Sequence, residues 1–271
     1  MTRFLALLAL AAAQDGAVDM PPPRPIPADL AAPFAGAIRR NQAFAAATGR
    51  TVESATQGFV MPRSTYPAWV VEFHWREKGA LRPGVAFLVD VPAARKLTSS
   101  GRSIPDASLE GPWAAIAVFE DQTLAMWSED LERQRRANNE SMTASDVRMI
   151  ISSEEGFRST SGSYGDLRCL SLPASCLPRP KDPLLPLDVA YTQAERNGYR
   201  RTFHPGAPVQ GKENETGLIA TWAYTAVPMD PKFGRRAFCG DSARGDVCAV
   251  EGATMPPLVG GACPKSCLPL R

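Results

Sequence analysis

Apolar and polar residues alternate with a period of two from Val70 to Arg76. Val71, Phe73 and Trp75 share one face, and Glu72, His74 and Arg76 share the other, which predicts a half-buried strand. Val85–Val89 and Trp113–Phe119 are short continuous apolar runs that predict further strands, and Ser54–Val60 predicts a weaker one. Gly79, Pro83, Pro92, Gly111 and Pro112 punctuate them. Upstream, Asp29 to Thr48 reads as an alanine-rich helix with Leu30, Phe34, Ile38 and Phe44 on its apolar side. Pro33 falls near its start, where proline is tolerated, and Gly49 supplies a stop. Residues 28–124 thus read as a small Cys-free α/β module, a helix followed by an antiparallel sheet.

From Leu124 to about Thr160 the chain has no proline and, apart from Gly156, no glycine. Glu129, Glu132, Arg133, Arg135 and Arg136 crowd its first half. Met142, Val147, Ile150, Ile151 and Phe157 recur mostly at threes and fours in its second half. This predicts one continuous helix with an apolar stripe and a solvated charged face. After Gly162 the pattern returns to short strands, at Tyr199–His204, Leu218–Val227, Arg235–Cys239 and Val247–Val250. The longest would place Ile219, Thr221, Ala223 and Thr225 on one face and Ala220, Trp222, Tyr224 and Ala226 on the other. The helix is expected to pack on a four-stranded antiparallel sheet made by these segments.

Composition narrows the class. The 271 residues are 44% hydrophobic and 21% charged, with a formal net charge of +2. Acids are interleaved with the bases, so there is no electrostatic footprint for nucleic acid. Proline, at 25 residues, is nearly twice its usual share, which argues against a helical bundle. Met1–Ala13 has one cation, Arg3, before a short apolar run ending in Ala11-Ala12-Ala13. Too short to span a bilayer, it reads as a secretory signal peptide. Pro21–Pro27 continues residues 14–27 as a stiff, Pro-rich spacer. The expected location is therefore periplasmic, cell-surface or extracellular, with no transmembrane helix after cleavage.

The six cysteines are Cys169, Cys176, Cys239, Cys248, Cys263 and Cys267, an even number absent from the first 168 residues. In an exported chain they read as structural disulfides. Their grouping into close couples predicts local bridges, Cys169 to Cys176, Cys239 to Cys248 and Cys263 to Cys267. The spacings do not match zinc knuckles, and His204 has no nearby histidine. For catalysis there are only two histidines, His74 and His204, neither within a motif. No nucleophile elbow, HExxH or phosphate loop occurs. Glu154 and Glu155 adjoin on a helix and so diverge. Arg244-Gly245-Asp246 spells an adhesion tripeptide, but Gly and Asp are also what a hairpin turn favours. The expectation is therefore no catalytic, cofactor-binding or metal site, and no cofactor.

Over Asn139–Gly252, under half of the chain, the order of features resembles the soluble head of a type IV pilin or type II secretion pseudopilin. Asn139-Glu140-Ser141 leads into the helix, and Gly162-Ser163-Tyr164-Gly165-Asp166-Leu167 resembles the glycine/tyrosine-rich exit from the long pilin helix. Cys169 to Cys176 brackets a leucine-containing loop. Asn197-Gly198-Tyr199, Ala220–Val227 and Arg236-Ala237-Phe238-Cys239-Gly240-Asp241 stand where three pilin strands would begin or run. The implied fold is α+β, with the N-terminal module followed by a long helix and a disulfide-stapled sheet over 125–262. A Cys/Pro-rich tail, 263–271, closes the chain. The resemblance implies an exported non-enzymatic protein, working by protein–protein contact in or near a type IV pilus or type II secretion-type system. One departure is that Asp121–Asn138 is polar where pilins carry an apolar anchor helix. The alternative is an exported enzyme, or a peptidase inhibitor acting through the N-terminal module, whose element order resembles propeptide-type inhibitory domains.

Overall fold

A computed structural model describes residues 21–47, 49–61, 67–98, 111–177, 184–209 and 217–270. The expected signal peptide at 1–13 and the first part of the spacer, 14–20, lie outside the described residues. The chain divides into two compact units, Met1–Leu131 and Glu132–Arg271. Both mix helix with antiparallel sheet.

The first unit runs β1 (Arg24–Pro25), α1 (Ala28–Arg40), α2 (Gln42–Ala45), β2 (Arg50–Val60), β3 (Ala68–Glu77), β4 (Ala80–Asp90), α3 (Val91–Thr98) and β5 (Trp113–Glu120). Its five strands form one antiparallel sheet in chain order. The end of the spacer is therefore part of the fold. Arg24 and Pro25 pair with Gly58 and Gln57, at a sheet edge where proline's missing N–H does no harm. The expected single helix over 29–48 breaks at Asn41. Its backbone turns extended there, and its side chain accepts from Phe44 N and donates to Ala115 O at 2.8 Å. Lys78 and Gly79, both at positive φ, make the two-residue turn that right-twisted hairpin strands require.

β3 is buried on both faces, which explains why apolar residues crowd it. Val71, Phe73 and Trp75 pack with Phe34 and Ile38 of α1, while Val70 packs on the opposite side. That opposite side is covered by the start of α4 (Leu124–Ser161), where Trp127 meets Phe87 edge-on at 5.1 Å. Glu72, expected on a solvated face, is buried there and accepts the Leu124 N–H at 2.8 Å. A carboxylate at the N-terminus of a helix complements its macrodipole.

The second unit contains the rest of α4, then β6 (Tyr164–Gly165), α5 (Leu167–Ser171), β7 (Glu195–Arg196), β8 (Tyr199–Pro205), β9 (Leu218–Ile219), β10 (Trp222–Pro228), β11 (Arg236–Asp241), β12 (Cys248–Glu251) and β13 (Leu268–Pro269). The main antiparallel sheet has the order β13-β12-β11-β10-β8-β7, and β6 pairs separately with β9. Four strands were expected; the short edge strands β7 and β13 extend them to six. Asn197 and Gly198, both at positive φ, form the hairpin turn joining β7 to β8. Leu218–Val227 is not one strand. Leu218 and Ile219 pair with β6, and Ala220 N–H goes to Ala207 O, so only Trp222 onward enters the main sheet.

The apolar stripe of α4, with Val147, Ile150, Ile151 and Phe157, packs with Tyr199, Trp222, Tyr224 and Phe238 of the sheet in one core. Met142, expected in that stripe, is instead 42% exposed, because it falls on the face of the helix turned away from the sheet. Gly240 on β11 sits beneath the helix. A Cβ there would lie 2.9 Å from Ile151 Cδ1, so the missing side chain lets helix and strand approach closely. No helix among the described residues is long and apolar enough to cross a membrane.

Candidate interaction surface

The cysteines organise two parts of the second unit. Where α4 ends, Glu154 reaches forward and accepts the Gly165 N–H at 3.1 Å. Asp166 then caps α5, accepting Cys169 N–H at 2.8 Å, and its own N–H goes to Gly217 O at 3.0 Å. Cys169 bonds to Cys176 as expected, closing the loop. The chain returns alongside, with Leu187 N–H donating to Leu170 O at 2.9 Å. Leu170, Leu177 and Leu187 are buried in the core, but Leu172, Leu185 and Val189 are 58%, 92% and 69% exposed. The bridged loop and the returning segment are therefore anchored by some apolar side chains and present the others outward.

The other two bridges correct the sequence-based expectation. Cys239 pairs with Cys263 and Cys248 with Cys267, in place of Cys239 with Cys248 and Cys263 with Cys267. Cys239 and Cys248 are direct cross-strand partners on β11 and β12, and the tail lies over them. Local pairing would have left that tail without a covalent link to the sheet, to which only the short strand Leu268–Pro269 adds ladder pairing. Closing separations of 24 and 19 residues removes roughly 3 kcal/mol of unfolded-state entropy per bridge. The three disulfides are consistent with an oxidising compartment.

Two residues that spacing did not reveal fix this tail. Asp241 is buried and accepts from Ala243 N and Arg244 N through Oδ1 and from Cys263 N at 2.7 Å through Oδ2. Arg244 donates to Cys267 O at 2.8 Å and Pro264 O at 3.1 Å. Its guanidinium is thus occupied by backbone carbonyls, so Arg244 acts as a clamp on the tail. Their only signal in the sequence was the turn composition of Asp241–Asp246.

Among the described residues, Asp146 and Glu140 are built into structure. Asp146 on α4 accepts from Arg201 Nη2 and from Asn197 Nδ2, holding the β7–β8 hairpin to the helix. Glu140 accepts Arg235 N at 2.7 Å and Arg236 Nε at 2.8 Å. Burial pushes the Glu154 carboxyl up to about 8, against the lowering effect of the Gly165 N–H, while Asp166 and Glu155 raise it further. Burial also raises the Tyr199 and Tyr224 phenols. Glu155 is exposed whereas Glu154 is fully buried, so the adjacent pair does not converge on one site. His204 is half-buried against Thr225 Oγ1 at 3.0 Å, and burial lowers its pKa. His74 lies half-buried on β3. Asp166, Cys169 and Cys176 lie close enough together to suggest a metal cluster, but the two sulfurs are bonded to each other and supply no thiolate ligand.

In comparisons with known proteins, no family model, curated protein or solved structure matches the chain.

Proposed function

We propose that this is an exported, non-enzymatic protein with a pilin-like head that works by contact with other proteins, in or near a type IV pilus or type II secretion-type system. The observation carrying this reading is the group of exposed apolar side chains on the bridged 169–176 loop and on the returning segment 184–192. Leu172 is 58% exposed between the bridged cysteines, where Asp166 caps the short helix, and Leu185 and Val189 are 92% and 69% exposed on the segment that Leu187 N–H ties to Leu170 O. Apolar side chains on a pre-ordered loop favour association, because little conformational entropy is lost on binding. The ordered features behind the pilin resemblance, from Asn139 to Gly252, supply the class of partner. Converging hydrogen bonds to Asp146, Glu140 and Asp241 go to structure, which favours contact over catalysis.

The test is affinity capture of the full exported chain from cells that make a type IV pilus or type II secretion system. Pilus or secretion components should be recovered. Leu172→Asp combined with Leu185→Asp and Val189→Asp should abolish that recovery while leaving the urea-unfolding midpoint in place. Recovery that persists in the triple variant, or that contains no such component, overturns the proposal.

A further inference from the structure

Along α4, Met142, Ser145, Met149, Ser152, Gly156 and Ser159 follow the alternating three- and four-residue spacing of a heptad seam, and every one of them is exposed. Met142 and Met149 are the large members, at 42% and 43% exposure, and a Cβ at Gly156 would meet nothing within 4 Å. Arg148 and Glu155, seven residues apart, are exposed along one flank. Glu155 accepts there from Tyr164 Oη at a long 3.4 Å. The opposite face of the helix is spent on the core of its own unit.

We infer that this face of α4 binds the same face of a second copy of the chain, antiparallel, about a two-fold axis between residues 150 and 151. In that register each methionine meets a small residue. Met149 stands opposite Ser152 of the second copy, Met142 opposite Ser159, and Ser145 opposite Gly156. Small residues let two helices approach closely, and the methionines fill the spaces they leave. Arg148 faces Glu155 of the second copy, and Glu155 faces its Arg148. Each pair is offset by two residues, an axial distance of about 3 Å that long side chains span.

The charges also select the register. Sliding one helix by a heptad in one direction sets Arg148 against Arg148; sliding it the other way sets Glu155 against Glu155. Both alternatives are repulsive, which is how a helix pair excludes wrong alignments. The surface is separate from the bridged loop and the returning segment, so this inference does not depend on the proposed function.

Sedimentation equilibrium of the full chain, from micromolar to millimolar concentration, tests it. The native chain should self-associate to a dimer. Arg148→Glu alone and Glu155→Arg alone should each weaken the dimer about tenfold, because two attractions become two repulsions. Mixing the two variants should restore association as a heterodimer, since the two acidic positions of one variant then face the two basic positions of the other. A chain that stays monomeric throughout overturns the proposal. So does a dimer indifferent to both reversals, or a mixture that fails to recover.

Discussion

The close approach of α4 to β11 can be tested at Gly240. An alanine Cβ there would lie 2.9 Å from Ile151 Cδ1, 3.0 Å from Ile151 Cγ1 and 3.0 Å from Val147 Cγ1. Ordinary carbon contacts are about 3.5–4.0 Å, so Gly240→Ala must shift the helix or push Ile151 from its rotamer. Overpacking of this kind costs about 1–3 kcal/mol. Relief of glycine's unfolded-state entropy returns about 0.4–1 kcal/mol, because no positive φ is required at this position. The expected net loss is therefore about 1–2 kcal/mol in the second unit. Urea unfolding, followed by hydrogen exchange of the β10 amides and of the α4 amides after Leu131, reads that unit separately. Ile151→Val removes the nearest atom and alone should cost about 1 kcal/mol. In the Gly240→Ala background it should cost less, or stabilise, giving a coupling of about 1 kcal/mol. Strict additivity of the two changes, or a Gly240→Ala chain as stable as the native one, would refute the packing argument.

Glu154 and the disulfides yield two further tests. The Glu154 carboxyl titrates near 8 in the fold and lower when unfolded, so the native state holds the extra proton between those values. Its contribution is fully present at low pH and is lost as pH rises toward 8, on the order of 3 kcal/mol between pH 5 and 8. Glu154→Gln should flatten that decline in urea midpoints measured against pH; an unchanged slope would show that the buried carboxyl does not titrate in this window. For the disulfides, non-reducing cleavage at arginine, lysine and Met255 should link peptide 237–244 to 256–265, and 245–255 to 266–271. Finding 237–244 joined to 245–255 would restore local pairing.

Much of the architecture was legible because periodicity reports which side of an element meets a core. The threes and fours of Val147, Ile150, Ile151 and Phe157 mark α4, and the alternation at Val71, Phe73 and Trp75 marks β3. The candidate surface was less so. Leu170, Leu172, Leu185 and Leu187 look alike in sequence, and only the path of the bridged loop and the returning segment buries two and exposes two.

What the amino-acid order determined by itself is local: helix and strand type, the glycine turns, an even set of cysteines, and a Pro-rich chain of mixed α and β character. Only the tertiary structure decided that Glu72 caps a helix, that Leu218–Ile219 leaves the main sheet, and that Cys239 and Cys248 each take a partner from the tail. Periodicity reflects the average environment along one segment. These outcomes depend on which distant segment arrives alongside it, and that is set by burying the whole core at once.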